Sequence, residues 1–289
     1  MNCKIEIIPR LLHFKQPAGT SRGTYTTRKV WYLHFTSPDF PGRVGIGECA
    51  PLPALSCDDL PDYEDILVKV CRKVEREQGR LDMDGLCDYP SILFGLETAI
   101  RHFFAGNWAL CDTAFSRGEV GIPINGLIWM GDFQNMLSQI EKKMEAGFRC
   151  IKLKIGAINF EEELTLLRHI RTHFSSKEIE LRVDANGAFS PVDRKQELLS
   201  TIRPQYIVIK PSLHGGICGG DEWITEAEKQ QIGWWITSAL ESNIGLNAIA
   251  QWCATFSNPL PQGLGTGALF TDNVEVPLEI RKDCLWFCK

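Results

Sequence analysis

The chain has 289 residues, of which 44% are hydrophobic and 23% charged, the balance of an ordinary globular protein long enough for two unequal domains. Its net charge is −5 without any basic run, which argues against a nucleic acid partner. No apolar run approaches the roughly 18 residues of a membrane span, and the first residues lack the pattern of a signal peptide. Eleven cysteines without a CxxC pair or zinc-type spacing are typical of reduced thiols, so we expect a cytoplasmic protein.

Residues 1–118 are predicted to form an α+β domain, with the C-terminal tail 271–289 packing back on it. Short segments that alternate or run apolar are typical of an antiparallel meander, and two longer segments have helical spacing. The predicted elements are strands over 3–8, 28–36 and 43–48, a small-residue loop over 16–24, and helices over 59–77 and 90–105.

Residues 119–270 alternate strictly between strand and helix patterns, which is typical of parallel βα units. The strands are predicted over 122–129, 150–155, 179–185, 206–210, 234–238 and 263–270, and the helices over 133–145, 160–174, 194–202, 222–231 and 246–256. Lys152 and Asp184 are 32 residues apart, and Lys210 and Ser238 are 28 apart. Both steps fit the roughly 31 residues per unit of a (β/α)8 barrel, so we predict an α/β fold with a TIM-type barrel.

The strand count disagrees with a closed barrel. Six strands are visible between 122 and 270, whereas the closed form needs eight. An open doubly wound sheet is the structural alternative.

Charged residues stand at the ends of three predicted strands. Lys152 and Lys154 alternate with apolar residues, Asp184 ends the next strand, and Lys210 ends a later one. Because parallel strands end at one edge, these groups predict a shared site where a metal and bases act on an acidic C–H. Taken singly, the two lysines are more simply a solvated pair, and Asp184 in Asp-Ala-Asn-Gly is a turn residue.

Several motifs in this order resemble the enolase superfamily, in its muconate-lactonizing and o-succinylbenzoate synthase branch. They are Gly45-Ile-Gly-Glu-Cys-Ala-Pro-Leu-Pro53, Ile124-Asn-Gly126, Lys152-Leu-Lys154, Val183-Asp-Ala-Asn186, Val208-Ile-Lys-Pro211, Ser238-Ala-Leu-Glu-Ser242 and Pro261-Gln-Gly-Leu-Gly-Thr266. Each is weak alone, but their order covers nearly the whole chain. The resemblance implies that residues 1–118 cap a catalytic barrel.

The resemblance also implies a reaction and its participants. A small-molecule carboxylate loses its α-proton to Lys154, and Mg²⁺ bound by Asp184 stabilises the enediolate. Lys152 is the neighbouring cation that favours the neutral form of the base, and Lys210 faces the substrate from the opposite side. Each lysine has a simpler interpretation as a strand residue.

Four further positions match the family's substrate pocket. Ser238, Gly263 and Asn186 are expected to contact substrate, and Glu241 is expected to orient the pocket from behind. Without the resemblance, Glu241 is adequately explained as a charge at a helix entry.

One departure concerns the metal. The resemblance implies three carboxylates at the ends of barrel strands three, four and five, and only Asp184 has a counterpart. Two βα units, about 60 residues, are absent by the strand count. We therefore expect a missing segment near Pro191–Arg194, either deleted from the protein or absent from the printed sequence.

The expected activity is dehydration of 2-succinyl-6-hydroxy-2,4-cyclohexadiene-1-carboxylate to o-succinylbenzoate, a lyase step of menaquinone biosynthesis. An N-acyl amino acid racemase or dipeptide epimerase using Lys154 and Lys210 as two bases is the second interpretation. The third is a non-catalytic barrel that lacks its metal site.

Overall fold

The computed structural model describes residues 1–20, 23–129, 132–154, 160–184, 196, 199–200 and 203–288. A few side chains within these ranges, including those of Lys154 and Asp184, also lie outside the description. Among the described residues, no helix is long and apolar enough to cross a membrane. All eleven cysteines are free thiols.

The N-terminal domain packs a three-stranded antiparallel sheet against two helices. Its elements are β1 (Lys4–Thr20), β2 (Gly23–Thr36), β3 (Val44–Cys49), α1 (Tyr63–Arg76), a short 3-10 turn (Asp84–Leu86) and α2 (Pro90–Ala105). The small-residue loop predicted over 16–24 is instead the end of a long β1–β2 hairpin, whose register is irregular between His13 and Ala18. Small residues pair there because backbone hydrogen bonds do not require large side chains.

Two glycines in β3 let α2 approach the sheet closely. A Cβ atom on Gly45 would lie 2.0 Å from the carbonyl oxygen of Ala99, and one on Gly47 would lie 1.9 Å from that of Gly95. Because side chains alternate along a strand, Glu48 faces the opposite side, toward the second domain.

The second domain alternates strands and helices as predicted, except that residues 263–270, predicted as a strand, form only isolated bridges at Gly263 and Phe270 around a turn. Its elements are β4 (Ile122–Pro123), β5 (Gly126–Ile128), α3 (Phe133–Glu145), β6 (Cys150–Lys154), α4 (Phe160–His173), β7 (Glu180–Asp184), β8 (Tyr206–Ile209), α5 (Gly216–Lys229), β9 (Gly233–Ile236) and α6 (Asn243–Cys253). Helix α5 begins six residues before its predicted start. The helix predicted over 194–202 lies mainly outside the described residues.

The parallel strands form one arc. In register, β7 pairs with β6 and β6 with β5 at one end, and β8 pairs with β9 at the other. The two halves meet through residues 262–263, since Gln262 bridges to Ile124 and Gly263 bridges to Thr237. No strand pairing joins β7 to β8 within the ranges given above. The arc is therefore open between strands three and six, where the count predicts two absent strands.

The C-terminal tail, expected to pack on residues 1–118, contacts both those residues and the barrel. Strands β10 (Leu278–Arg281) and β11 (Cys284–Phe287) form a hairpin, and β11 pairs with β4 of the barrel. Leu285 and Phe287 are buried in the barrel core, because the hairpin covers the amino end of the first barrel strand. The tail also reaches residues 1–118: Thr271 N–H donates to His13 O at 2.9 Å, and the Phe287 ring lies 6.0 Å from that of Phe115.

Candidate active site

The carboxyl ends of β6 and β7 hold the predicted base beside the predicted metal ligand. In register, Lys152 is the partner of Arg182, and Lys154 is the partner of Asp184. Neighbouring strands lie about 5 Å apart, so the backbone places positions 154 and 184 side by side. The side chains of Lys154 and Asp184, and the whole of Asn186, lie outside the described residues, so their roles stay predictions.

Lys152 is buried, with 3% of its surface exposed, which removes the interpretation of a solvated strand lysine. Arg182 is buried beside it, with its guanidinium 4.4 Å from the centre of the Trp235 ring. Arg182 also donates to Pro261 O at 2.7 Å and pairs with Glu180 at 2.6 Å. Lys152 and Arg182 are thus buried as neighbours on adjacent strands, with the Arg182 guanidinium paired with Glu180.

Lys210 follows β8, at the other end of the arc, and is half-buried. Its N–H donates to His214 Nδ1 at 3.0 Å, and its carbonyl accepts from Leu213 N–H at 2.9 Å. These bonds hold the backbone of Lys210 in a tight turn. Lys210 thus stands at the opposite end of the arc from β7, and its contact with substrate stays a prediction.

Glu241 ties the ends of β8 and β9 together. Its fully buried carboxylate accepts hydrogen bonds from Ser212 Oγ, from Ser238 Oγ at 2.6 Å and from Ala239 N–H at 2.6 Å. Because Ser238 donates to Glu241, its hydroxyl orientation is set before any substrate arrives. Whether Glu241 thereby orients a substrate pocket, and whether Ser238 contacts substrate, stay predictions.

Gly263 is required by close packing. A Cβ atom there would lie 2.3 Å from Thr237 Oγ1, and the Gly263 N–H donates to Ile236 O at 2.7 Å. A larger residue would therefore break the junction of the arc, which explains the glycine without a ligand. Its contact with substrate stays a prediction.

Sequence analysis missed three buried charges that join the domains: Arg28, Glu48 and Glu97. Arg28 donates to Ala50 O at 2.7 Å within the first domain and to Ala239 O at 3.4 Å in the loop after β9. Burial lowers the pKa of Arg28, while Glu241 and Glu48 act against that shift. Glu48 and Glu97 stand among apolar or small residues in the sequence, which is a signal of burial, but this signal does not indicate which element covers them.

The donor set for Mg²⁺ is incomplete among the described side chains. They contain no group of three or more His, Cys, Asp or Glu that could hold a metal ion. Mg²⁺ prefers near-octahedral oxygen coordination, and Asp184 alone offers too few oxygens. The described side chains therefore do not by themselves supply a ligand set for the ion that the resemblance implies.

Solved structures superimpose on nearly the whole chain. MenC from Desulfotalea psychrophila has a TM-score of 0.79 and 31% identity, covering 99% of this chain and 100% of that chain. A dipeptide epimerase from Enterococcus faecalis, complexed with Mg and L-Leu-L-Tyr, has a TM-score of 0.82 and 16% identity, covering 100% and 98%. The second likeness shows the fold alone. A barrel enzyme with an α+β capping domain, as in the enolase superfamily, is thus confirmed as the class of protein.

The curated relatives narrow this class to a family. The chain is 36% identical to an o-succinylbenzoate synthase of Desulfotalea psychrophila, over 93% of this chain and 95% of the relative. Residues 135–207 match the family model described as Enolase C-terminal domain-like. The chain belongs to the o-succinylbenzoate synthase family of the enolase superfamily, which confirms the predicted resemblance and the predicted lyase class.

The same alignment bears on the open arc. It spans 357 positions but includes only 93% of the 289 residues of this chain, so about 88 of those positions have no residue of this chain opposite them. Two βα units would account for about 60 residues. The length difference supports an absent pair of units, although residues 191–194 themselves lie outside the described residues.

Glu241→Gln is expected to lower the free energy of unfolding by about 1–3 kcal/mol, because an amide leaves at least one buried donor without its acceptor. Equilibrium unfolding in urea measures this change. Ser212→Ala removes only one donor and should cost less. Equal urea midpoints for wild type and Glu241→Gln would contradict the prediction.

Proposed function

We propose that this protein dehydrates 2-succinyl-6-hydroxy-2,4-cyclohexadiene-1-carboxylate to o-succinylbenzoate in the cytoplasm, as a step of menaquinone biosynthesis. The observation that carries the proposal is the 36% identity to an o-succinylbenzoate synthase over nearly all of both chains. The buried Lys152 and Arg182 support it, because they suit a substrate with carboxylate groups. The eleven free cysteines agree with a reducing compartment.

The lysines carry the proposed steps. Lys154 accepts the proton α to the ring carboxylate, and the electrons of the broken C–H bond pass into the enediolate. Lys152 and Lys210 supply positive charge as the enediolate forms. The protonated Lys154 then gives its proton to the departing hydroxyl, the C–O bond breaks, and water leaves an aromatic ring. Ser238, held by Glu241, contributes to the pocket wall.

Mg²⁺ is the cofactor we propose for the family's complete site, where it would supply Lewis-acid stabilisation of the enediolate. Asp184 is the residue of this chain that would bind it. No step above is routed through the ion, because the described side chains do not complete its ligand set.

A direct assay tests the proposed activity. The protein is incubated with the diene carboxylate, and the aromatic product is followed by absorbance. In a parallel sample, N-acyl amino acids and dipeptides are incubated in D₂O, and deuterium at the α-carbon is measured. Aromatic product supports the proposal, whereas exchange without it would favour the racemase or epimerase. Neither reaction, with no Mg²⁺ binding by calorimetry, would favour a non-catalytic barrel.

Lys210→Ala separates the two reactions further. A two-base racemase loses its second base and should lose epimerisation by about 10²-fold or more. Dehydration uses Lys210 only for charge stabilisation, so its kcat should fall less steeply. Initial rates for both substrate classes measure the difference, and equal losses would contradict the assigned role.

A further inference from the structure

A buried carboxylate of the capping domain holds the amino end of barrel helix α6. Glu48, on β3, is fully buried and accepts from Ser242 N–H at 2.8 Å, Ser242 Oγ at 2.6 Å and Gly245 N–H at 2.8 Å. The first N–H groups of a helix have no partner within the helix. Glu48 therefore supplies acceptors from another domain.

A second carboxylate does the same for helix α5. Glu97, on α2, is buried and accepts from Ile217 N–H at 2.6 Å and Cys218 N–H at 3.1 Å. A Cβ atom on Gly216 would lie 2.2 Å from Glu97 Oε2, so the glycine leaves room for the carboxylate.

Both helices follow strand ends of the candidate site. Helix α5 comes six residues after Lys210, and α6 comes five residues after Ser238. We propose that Glu48 and Glu97 are positioning residues through which the capping domain holds the Ser238 and Lys210 loops in place. The kinetic part of this inference rests on the proposed function, whereas the contacts themselves do not.

The charges around Glu48 make this contact sensitive to pH. Burial raises the pKa of Glu48 to about 7, the nearby Glu241 adds to the rise, and hydrogen bonds from Ser242 and Gly245 oppose it. The positive charge of Arg28 also faces this carboxylate. Glu48 in turn contributes to a raised pKa of Tyr32.

Burial likewise raises the pKa of Glu97 to about 7, with Asp221 adding to the rise and Arg101 opposing it.

A carboxyl group whose pKa is higher in the folded than in the unfolded state stabilises the fold. This stabilisation is complete when the pH is below the ordinary pKa of the group, near 4.5. This contribution is lost as the pH rises through about 7. We therefore expect the urea midpoint of the wild type to be lower at pH 8 than at pH 6. Glu48→Gln and Glu97→Gln should each reduce that difference.

Amide hydrogen exchange tests the contacts without any substrate. In Glu48→Gln, the amides of Ser242 and Gly245 should exchange at least about 10-fold faster, with Ile217 and Cys218 unchanged. Glu97→Gln should show the reverse pattern. If Glu48→Gln does not fold, Ser242→Ala keeps the test available, because it removes one donor to Glu48. Unchanged exchange at the contacted helix would overturn the inference.

Steady-state kinetics with the diene carboxylate test positioning. Glu48→Gln should mainly raise KM by about 10-fold, because it loosens the loop of the predicted pocket residue Ser238. Glu97→Gln should mainly lower kcat, because it loosens the loop of Lys210.

Asp58→Asn is the matched control for these variants. Asp58 is a buried carboxylate that accepts from Ser91 N–H at 2.8 Å and Ser91 Oγ at 2.6 Å, entirely within the capping domain. It should lower the urea midpoint without changing KM. An equal rise of KM in Asp58→Asn would overturn the positioning role. A wild type inactive on the diene, with the exchange pattern intact, would overturn the proposed function alone.

Discussion

Replacing Lys154 with alanine is expected to lower kcat for dehydration by about 10²–10⁴-fold, the usual contribution of a positioned general base. The α-proton of a carboxylate is weakly acidic, so removing the base leaves only water to accept it. Position 154 is the register partner of Asp184, the predicted metal ligand. We therefore expect Lys154→Ala to lower kcat more than it raises KM. Rapid-mixing or initial-rate assays with the diene carboxylate measure kcat and KM separately.

Two controls accompany this variant. Lys177 is exposed on a connecting segment, and Lys177→Ala should leave kcat unchanged. Lys154→Arg keeps the positive charge but stays protonated, so it should be as inactive as alanine if Lys154 is the base. Wild-type turnover by Lys154→Ala would remove Lys154 from the mechanism.

Restoring the unmatched segment is expected to tighten Mg²⁺ binding by about 10-fold or more, because each added carboxylate supplies a ligand that Mg²⁺ prefers. In this chimera, the stretch of the Desulfotalea psychrophila relative between its counterparts of β7 and β8 is inserted near Pro191–Arg194. It should also pair with the open edges of β7 and β8, which raises the urea midpoint. Calorimetry with MgCl₂ and urea unfolding measure the two effects.

A glycine–serine insert of equal length controls for added chain, since it brings neither strands nor carboxylates. Asp184→Ala in the chimera should remove the gain in Mg²⁺ affinity. Equally tight Mg²⁺ binding by residues 1–289 and by the chimera would mean that residues 1–289 already complete the site. The result would then point to a different ligand set and a compact six-strand barrel.

The spacing of apolar residues predicted helices and strands correctly where their apolar face packs within their own domain. Helices α2 and α3 begin and end where the apolar spacing predicts, and β6 and β7 agree within one residue at each end. Helix α5 was predicted to begin at residue 222 because its glycines indicated a loop. Its true start at Gly216 depends on contacts from elsewhere, since Glu97 holds its first N–H groups and Gly220 packs against Trp252.

The sequence by itself determined the order of charged residues at the strand ends, the family and a strand count that is two short of a closed barrel. These follow from spacing along the chain, which folding cannot alter. Only the tertiary structure decided that Lys152 and Arg182 are buried as neighbours and that Glu48 and Glu97 reach across to barrel helices. The periodicity of apolar residues in a strand or helix indicates which residues share a face. It does not state which distant element will cover that face, because packing of the whole chain chooses the partner.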